Sequence, residues 1–143
     1  MGLFSNLFKK GEAPVPTFSD SKLGAMLWSE DDEAWLGEYR GRKFGLAYEG
    51  TSAPRSELIA YAHEVLDDPE WLDASIAQAK QQVIKTYPEP SHDEIRSLAW
   101  GAIHFYRHKG ARRIIADLEG GKDYRAWRIE YHDRQCEGIG FDD

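Results

Sequence analysis

The sequence predicts an α+β fold, a largely antiparallel sheet made of an N-terminal meander and C-terminal hairpins, with two to three helices on one face. Three observations carry this. Short runs near both ends of the chain alternate apolar and polar residues, as half-buried strands do. Between them, from about Ala53 to Thr86, the apolar residues recur at a helical period. Turn chemistry punctuates almost every run. At 143 residues, with 41% hydrophobic and 13% aromatic content, the chain can bury one core and reads as a single domain.

The opening MGLFSNLFKKG sets Leu3, Phe4, Leu7 and Phe8 on one side of a helical turn, with Lys9 and Lys10 just beyond, an amphipathic stub. Ser5 and Asn6 break the apolar run and the lysines follow it, so it does not read as an export signal. Asn6 stands where N-myristoylation wants Ser or Thr. So short a stub holds lipid poorly, which disfavours membrane contact through Leu3, Phe4, Leu7 and Phe8 against a loose end or docking onto its own core or a second copy. Pro14 and Pro16 read as a stiff extended exit. Residues 1–17 are thus expected to be stub and linker, with one domain over 18–143 that begins near Phe18.

LGAMLW from Leu23, the run from Trp35 to Tyr39 and the run from Lys43 to Tyr48 predict a three-stranded antiparallel meander. The acidic SEDDE turn and Gly41 separate the three, and Phe44, Leu46 and Tyr48 are expected on one face. A helix is predicted after Thr51 and Ser52, with Pro54 in its first turn and a stripe of Leu58, Ile59, Ala62, Val65 and Leu66. Asp68, Pro69 and Glu70 start a second, because Asp68 can cap free amides, Pro69 suits the first helical position and Glu70 suits the positive end of the dipole. That helix carries Leu72, Ile76, Ala79, Val83 and Ile84 to about Thr86. Ser91 and Glu94 read as a capping box for a short helix over Asp93 to Leu98. Four strands follow, from Ala102, Arg112, Ala126 and Gln135. A tight Lys109–Gly110 turn, a loop from Gly120 to Asp123 and an Asp133–Arg134 turn join them. Trp127, Ile129 and Tyr131 should line the core face, with Arg128, Glu130 and His132 opposite.

GAMLWSEDDEAWLGEYRGRKFGLAYEG, followed by paired helices and an end in WRIEYHDRQCEGIGFDD, resembles a family of small bacterial domains of unknown function. Some members occur near polymorphic toxins and are thought to be immunity proteins. The resemblance spans about Ser21 to Asp143 and rests on aromatic and glycine positions that make folds. It implies a binding or accessory protein, and it offers no catalytic residues to carry over.

With 18 basic against 25 acidic side chains, a net charge of −7 argues against general attachment to nucleic acid or anionic lipid. Any such contact must be local. Tyr106, Arg107, Lys109, Arg112 and Arg113 form a basic hairpin that could hold a phosphate, a nucleic-acid backbone or an acidic partner. The competing reading is a solvated turn whose charges protect an edge. Glu30, Asp31, Asp32 and Glu33 form an acidic cluster that could face a basic partner; it lacks the alternating ligands of a calcium loop, and the plainer reading is a soluble surface. His104 and His108 would share a metal on a helix but stand roughly 13 Å apart on a strand, and a strand is what HFYRH predicts. Cys136, the only cysteine, reads as an inert thiol and suits a reducing cytoplasm. No acid, base and nucleophile set emerges, and neither metal nor cofactor is expected. The expectation is a non-enzymatic protein-binding module whose partner is another protein or a second copy as a homodimer. The alternative is a small enzyme, or an anion- or nucleic-acid-binding protein using the hairpin 106–113.

Overall fold

The computed structural model describes residues 14–122 and 125–142. The expectations placed on Leu3, Phe4, Leu7, Phe8, Asp123 and Asp143 lie outside the described residues.

The chain forms β1 (Thr17–Asp20), β2 (Gly24–Ser29), β3 (Ala34–Tyr39) and β4 (Arg42–Ala47). It then builds α1 (Ser56–Leu66), α2 (Pro69–Ile84), a 3-10 turn (Glu89–Ser91) and α3 (His92–Ser97). It ends in β5 (Ala99–His108), β6 (Ala111–Glu119), β7 (Ala126–His132) and β8 (Gln135–Asp142). Among the described residues these eight strands make one sheet in chain order. Every neighbouring pair is antiparallel except β4 and β5, which run parallel and join the two four-stranded halves. The expected α+β architecture is the observed one.

Cross-strand register fixes which side chains share a face. One row runs Trp28, Trp35, Leu46, Phe105, Ile114, Tyr131, Cys136 across seven strands. Beside it lies Phe44, Ile103, Ala116, Ile129, Ile139. The helices cover these rows. Tyr61 of α1 meets Phe105 edge-on with ring centroids 5.5 Å apart, and Trp71 of α2 packs on Tyr131 at 5.3 Å. Trp100 donates its indole N–H to the Leu72 carbonyl at 3.1 Å. The predicted stripe of α1, Leu58, Ile59, Ala62, Val65 and Leu66, is buried throughout. Side chains of this size stabilise the fold by about 1.5–3 kcal/mol each when fully buried.

Asp68 caps α2 as expected, accepting from the Trp71 amide at 3.2 Å, with Pro69 in the first turn. Four local expectations need correction. Thr17–Asp20, assigned in part to the linker, is a strand, because the Pro16 carbonyl accepts from the Trp28 amide at 3.0 Å and pulls the exit segment onto the sheet edge. The first helix begins at Ser56, after Pro54, since the Glu49 carboxylate takes the Arg55 amide at 2.7 Å and holds that residue outside the helix. Tyr48 lies beyond the end of its strand and leaves the face of Phe44 and Leu46. The capping box does not form.

Ser91 makes no side-chain cap, and Glu94 turns inward instead. Its carboxylate accepts from Trp127 Nε1 at 2.7 Å, Arg125 Nη1 at 2.7 Å and the Lys122 amide at 3.0 Å. Only 8% of Glu94 is exposed, and burial would raise its pKa; the Lys122 amide, Trp127 and Arg125 outweigh that and hold it below the ordinary carboxylate value. A buried indole N–H needs an acceptor more than a helix end open to water does.

The sheet has two rims. β1 is four residues long, and β8 departs from regular register between Tyr131–Cys136 and Glu130–Gly138, which leaves Glu137 as an extra residue at the outer edge.

Candidate functional site

The basic hairpin is a tight two-residue turn, with Lys109 and Gly110 at φ 52° and 80° as a mirror-image turn requires. Strand alternation then divides its charges. Arg107 and Arg112 are cross-strand partners on the helix side, and Tyr106 and Arg113 are partners on the other. Arg107 is paired with Glu57 of α1, and Arg113 with Glu137. Arg112 forks onto Asp133 at 2.9 and 3.0 Å, reaches Glu64 at 3.6 Å and lies over the Tyr61 ring at 4.6 Å. Hydrogen bonding to Asp133 raises its pKa above the ordinary value. Lys109 is exposed at the tip. Four charges adjacent in sequence are therefore spread over two faces, and the three arginines each hold a carboxylate.

The acidic cluster forms the β2–β3 turn and is exposed. Trp28 Nε1 donates to Glu30 at 2.6 Å, and Ser29 Oγ donates to Asp32 at 2.7 Å while accepting its amide at 3.3 Å. Glu30 and Asp32 thus shape the turn, and Asp31 and Glu33 remain at its surface. His104 and His108 lie on β5 as the sequence predicted. Among the described residues no three His, Cys, Asp or Glu side chains converge as a metal site would require. Cys136 is half-buried on the helix side, where burial chiefly pushes its thiol pKa up.

The helices leave one face of the sheet open. Across it runs the row Leu27, Leu36, Gly45, His104, Ile115, Glu130. A side chain at Gly45 would meet the His104 ring at 2.5 Å, so glycine there lets the imidazole lie flat against the neighbouring strand. At one end of this face stands a feature the sequence reading missed. Continued alternation from Phe44 and Leu46 would send Tyr48 under the helices. Instead it adopts φ 61°, a left-handed conformation uncommon for a bulky residue, and its amide donates to the Glu33 carbonyl at 2.9 Å. Its ring meets Tyr106 edge-on, centroids 5.8 Å apart, and 65% of the residue is exposed. Glu33 is itself left-handed, at φ 49°. The acidic turn and the displayed tyrosine are therefore one unit, locked by a single backbone hydrogen bond.

No family model matches the chain, and neither the curated proteins nor the solved structures contain a significant match. The argument from function therefore rests on the surface itself.

At the other end of the open face lies a groove of about 540 Å³ lined by Val15, Leu27, Trp28, Leu36 and the aliphatic parts of Glu38 and Lys43. A smaller, polar recess of about 290 Å³ opens on the helix side between Trp71, Ser75, Gln78, Gln82, Arg134 and Cys136. Arg134 there is engaged by Asp68 at 2.8 Å and lies over the Trp71 ring at 5.0 Å. Arg40, Arg42 and Lys43 form a second basic stretch, at the β3–β4 turn, with Arg40 paired to Asp67 at 2.7 Å. Its signal in the sequence, RGRK, was legible and went unused.

No helix among the described residues is long and apolar enough to cross a membrane.

Proposed function

We propose that this protein is a non-catalytic binding module that receives a basic protein partner on the open face of its sheet, centred on Tyr48 and Tyr106 and bordered by Glu30, Asp31, Asp32 and Glu33. The observation that carries the reading is Tyr48, a large aromatic residue both exposed and held in a left-handed conformation. Backbone strain persists where the surrounding structure imposes it, and exposed tyrosines are favoured anchors of protein contacts. The acidic turn supplies the charge that would steer and orient a cationic partner. Neutralisation of a basic toxin, the role implied by the immunity-protein resemblance, would use the same surface. The rival reading, an oxyanion held by Arg107, Arg112 and Arg113, has less support because ligand binding would have to compete with the carboxylates that already engage them.

A photoreactive phenylalanine analogue at position 48 tests the proposal, with Gln81 on the exposed side of α2 as the control position. In cells of the native host, position 48 should give a discrete adduct with a basic protein and position 81 none. Adducts of equal yield at both positions, or only at 81, would exclude the open face as the contact surface.

A further inference from the structure

We infer that residues 3–8 of the same chain, through Leu3, Phe4, Leu7 and Phe8, occupy the Leu27–Leu36 groove on the open face. This inference is separate from the partner reading, because it rests on the groove and on the chain that leads into it.

The groove is apolar where the rest of the open face is largely charged, and Val15, part of its wall, is only two residues inside the first described residue minus one, Pro14 being the exit. The thirteen residues before Pro14 lie outside the described residues. Six residues separate Phe8 from Pro14, and an extended chain covers about 3.4 Å per residue, giving a reach of about 20 Å. Strands spaced about 4.8 Å apart place β4 roughly 14 Å from β1, so the whole groove is within reach.

Direction and charge agree with the same occupant. β1 runs antiparallel to β2, so the chain preceding Thr17 leaves the sheet at the end where β2 enters the acidic turn. Lys9 and Lys10 are then close in sequence to a point beside Glu30 to Glu33. Gly11 gives the segment a residue with the freedom to reverse and bring Leu7 and Phe8 back over Leu27 and Leu36. A tethered segment of this length competes at an effective concentration in the millimolar range, which favours the same chain over a second copy.

The test places a nitroxide at position 5 (Ser5→Cys) in a Cys136→Ser background, with methyl-labelled leucine and isoleucine. The Leu27 and Leu36 methyl signals should broaden far more than that of Ile84 on the helix side, and Phe4→Ser with Phe8→Ser should abolish the difference. Tyr48→Gly should leave the broadening unchanged, which separates failure of this inference from failure of the partner reading. Broadening seen only when spin-labelled chains are mixed with isotope-labelled ones would assign the groove to a second copy and overturn the inference. No selective broadening at Leu27 and Leu36 would overturn it too, and so would broadening that disappears when anionic phosphatidylglycerol vesicles are added together with sedimentation of the protein at equal strength.

Discussion

Tyr48 shows how a single residue can carry information that alternation hides. A left-handed conformation costs an L-residue about 1–2 kcal/mol, and an edge-on aromatic contact such as that with Tyr106 returns about 0.5–1.5 kcal/mol. Tyr48→Gly should therefore leave stability within about 1 kcal/mol of the parent in urea denaturation, while abolishing the adduct-forming contact. A loss above about 2 kcal/mol would mark Tyr48 as a structural residue. In the sequence, Phe44, Leu46 and Tyr48 form an unbroken alternating series, and only the turn-forming Gly50, Thr51 and Ser52 hint that the strand stops early. The basic hairpin fails in the opposite sense. Its charges were plain in the sequence, but Glu57, Glu64, Asp133 and Glu137 come to them from other elements, and linear spacing carries no trace of that.

Among elements, the helices were the most legible, because their caps and stripes are local. Asp68–Pro69 and the α1 stripe were readable since each depends on residues within a few positions. Glu94 was misread because a long-range acceptor role for Trp127 outcompeted a local one. Its carboxylate ties α3 to the segment leading into β7, and Gly121 permits the approach, since a side chain there would meet the Trp127 ring at 2.5 Å. The folded-state pKa of Glu94 lies below its unfolded value of about 4.3, so its stabilisation is complete above that value and is lost as pH falls through the folded pKa. Glu94→Gln should cost about 2–3 kcal/mol at neutral pH by leaving buried donors poorly matched. Urea denaturation from pH 7 down to pH 3 should show the gap between parent and variant narrowing below about pH 4.3. A constant gap would mean that the charge on Glu94 contributes nothing.

For the whole molecule, the sequence revealed two sets of strands around a helical segment but not that they close into one sheet. The parallel seam pairs Phe44, Gly45 and Leu46 with Ile103, His104 and Phe105, and pairing across so long a connection follows from helix packing rather than from any turn signal. Once the seam forms, the row from Trp28 to Cys136 becomes one continuous core surface, and the opposite side becomes a broad face that neither half could present alone. The candidate surface draws on both halves, with Tyr48 from one and Tyr106 from the other.

The rims of this sheet bear on how the protein behaves when concentrated. An open sheet offers unpaired amides and carbonyls at each end as templates for fibre growth. Here one rim is too short to template much, and the other is interrupted at Glu137 and weakened by Gly138 and Gly140, residues with poor strand propensity. A side chain at either glycine would meet no atom within 4 Å, so Gly138→Val with Gly140→Val should fold normally. It should also convert a reluctant rim into a flat, β-branched one, and thioflavin fluorescence on prolonged incubation should rise in this variant and stay flat in the parent. The two glycines, on this view, are kept for what they prevent.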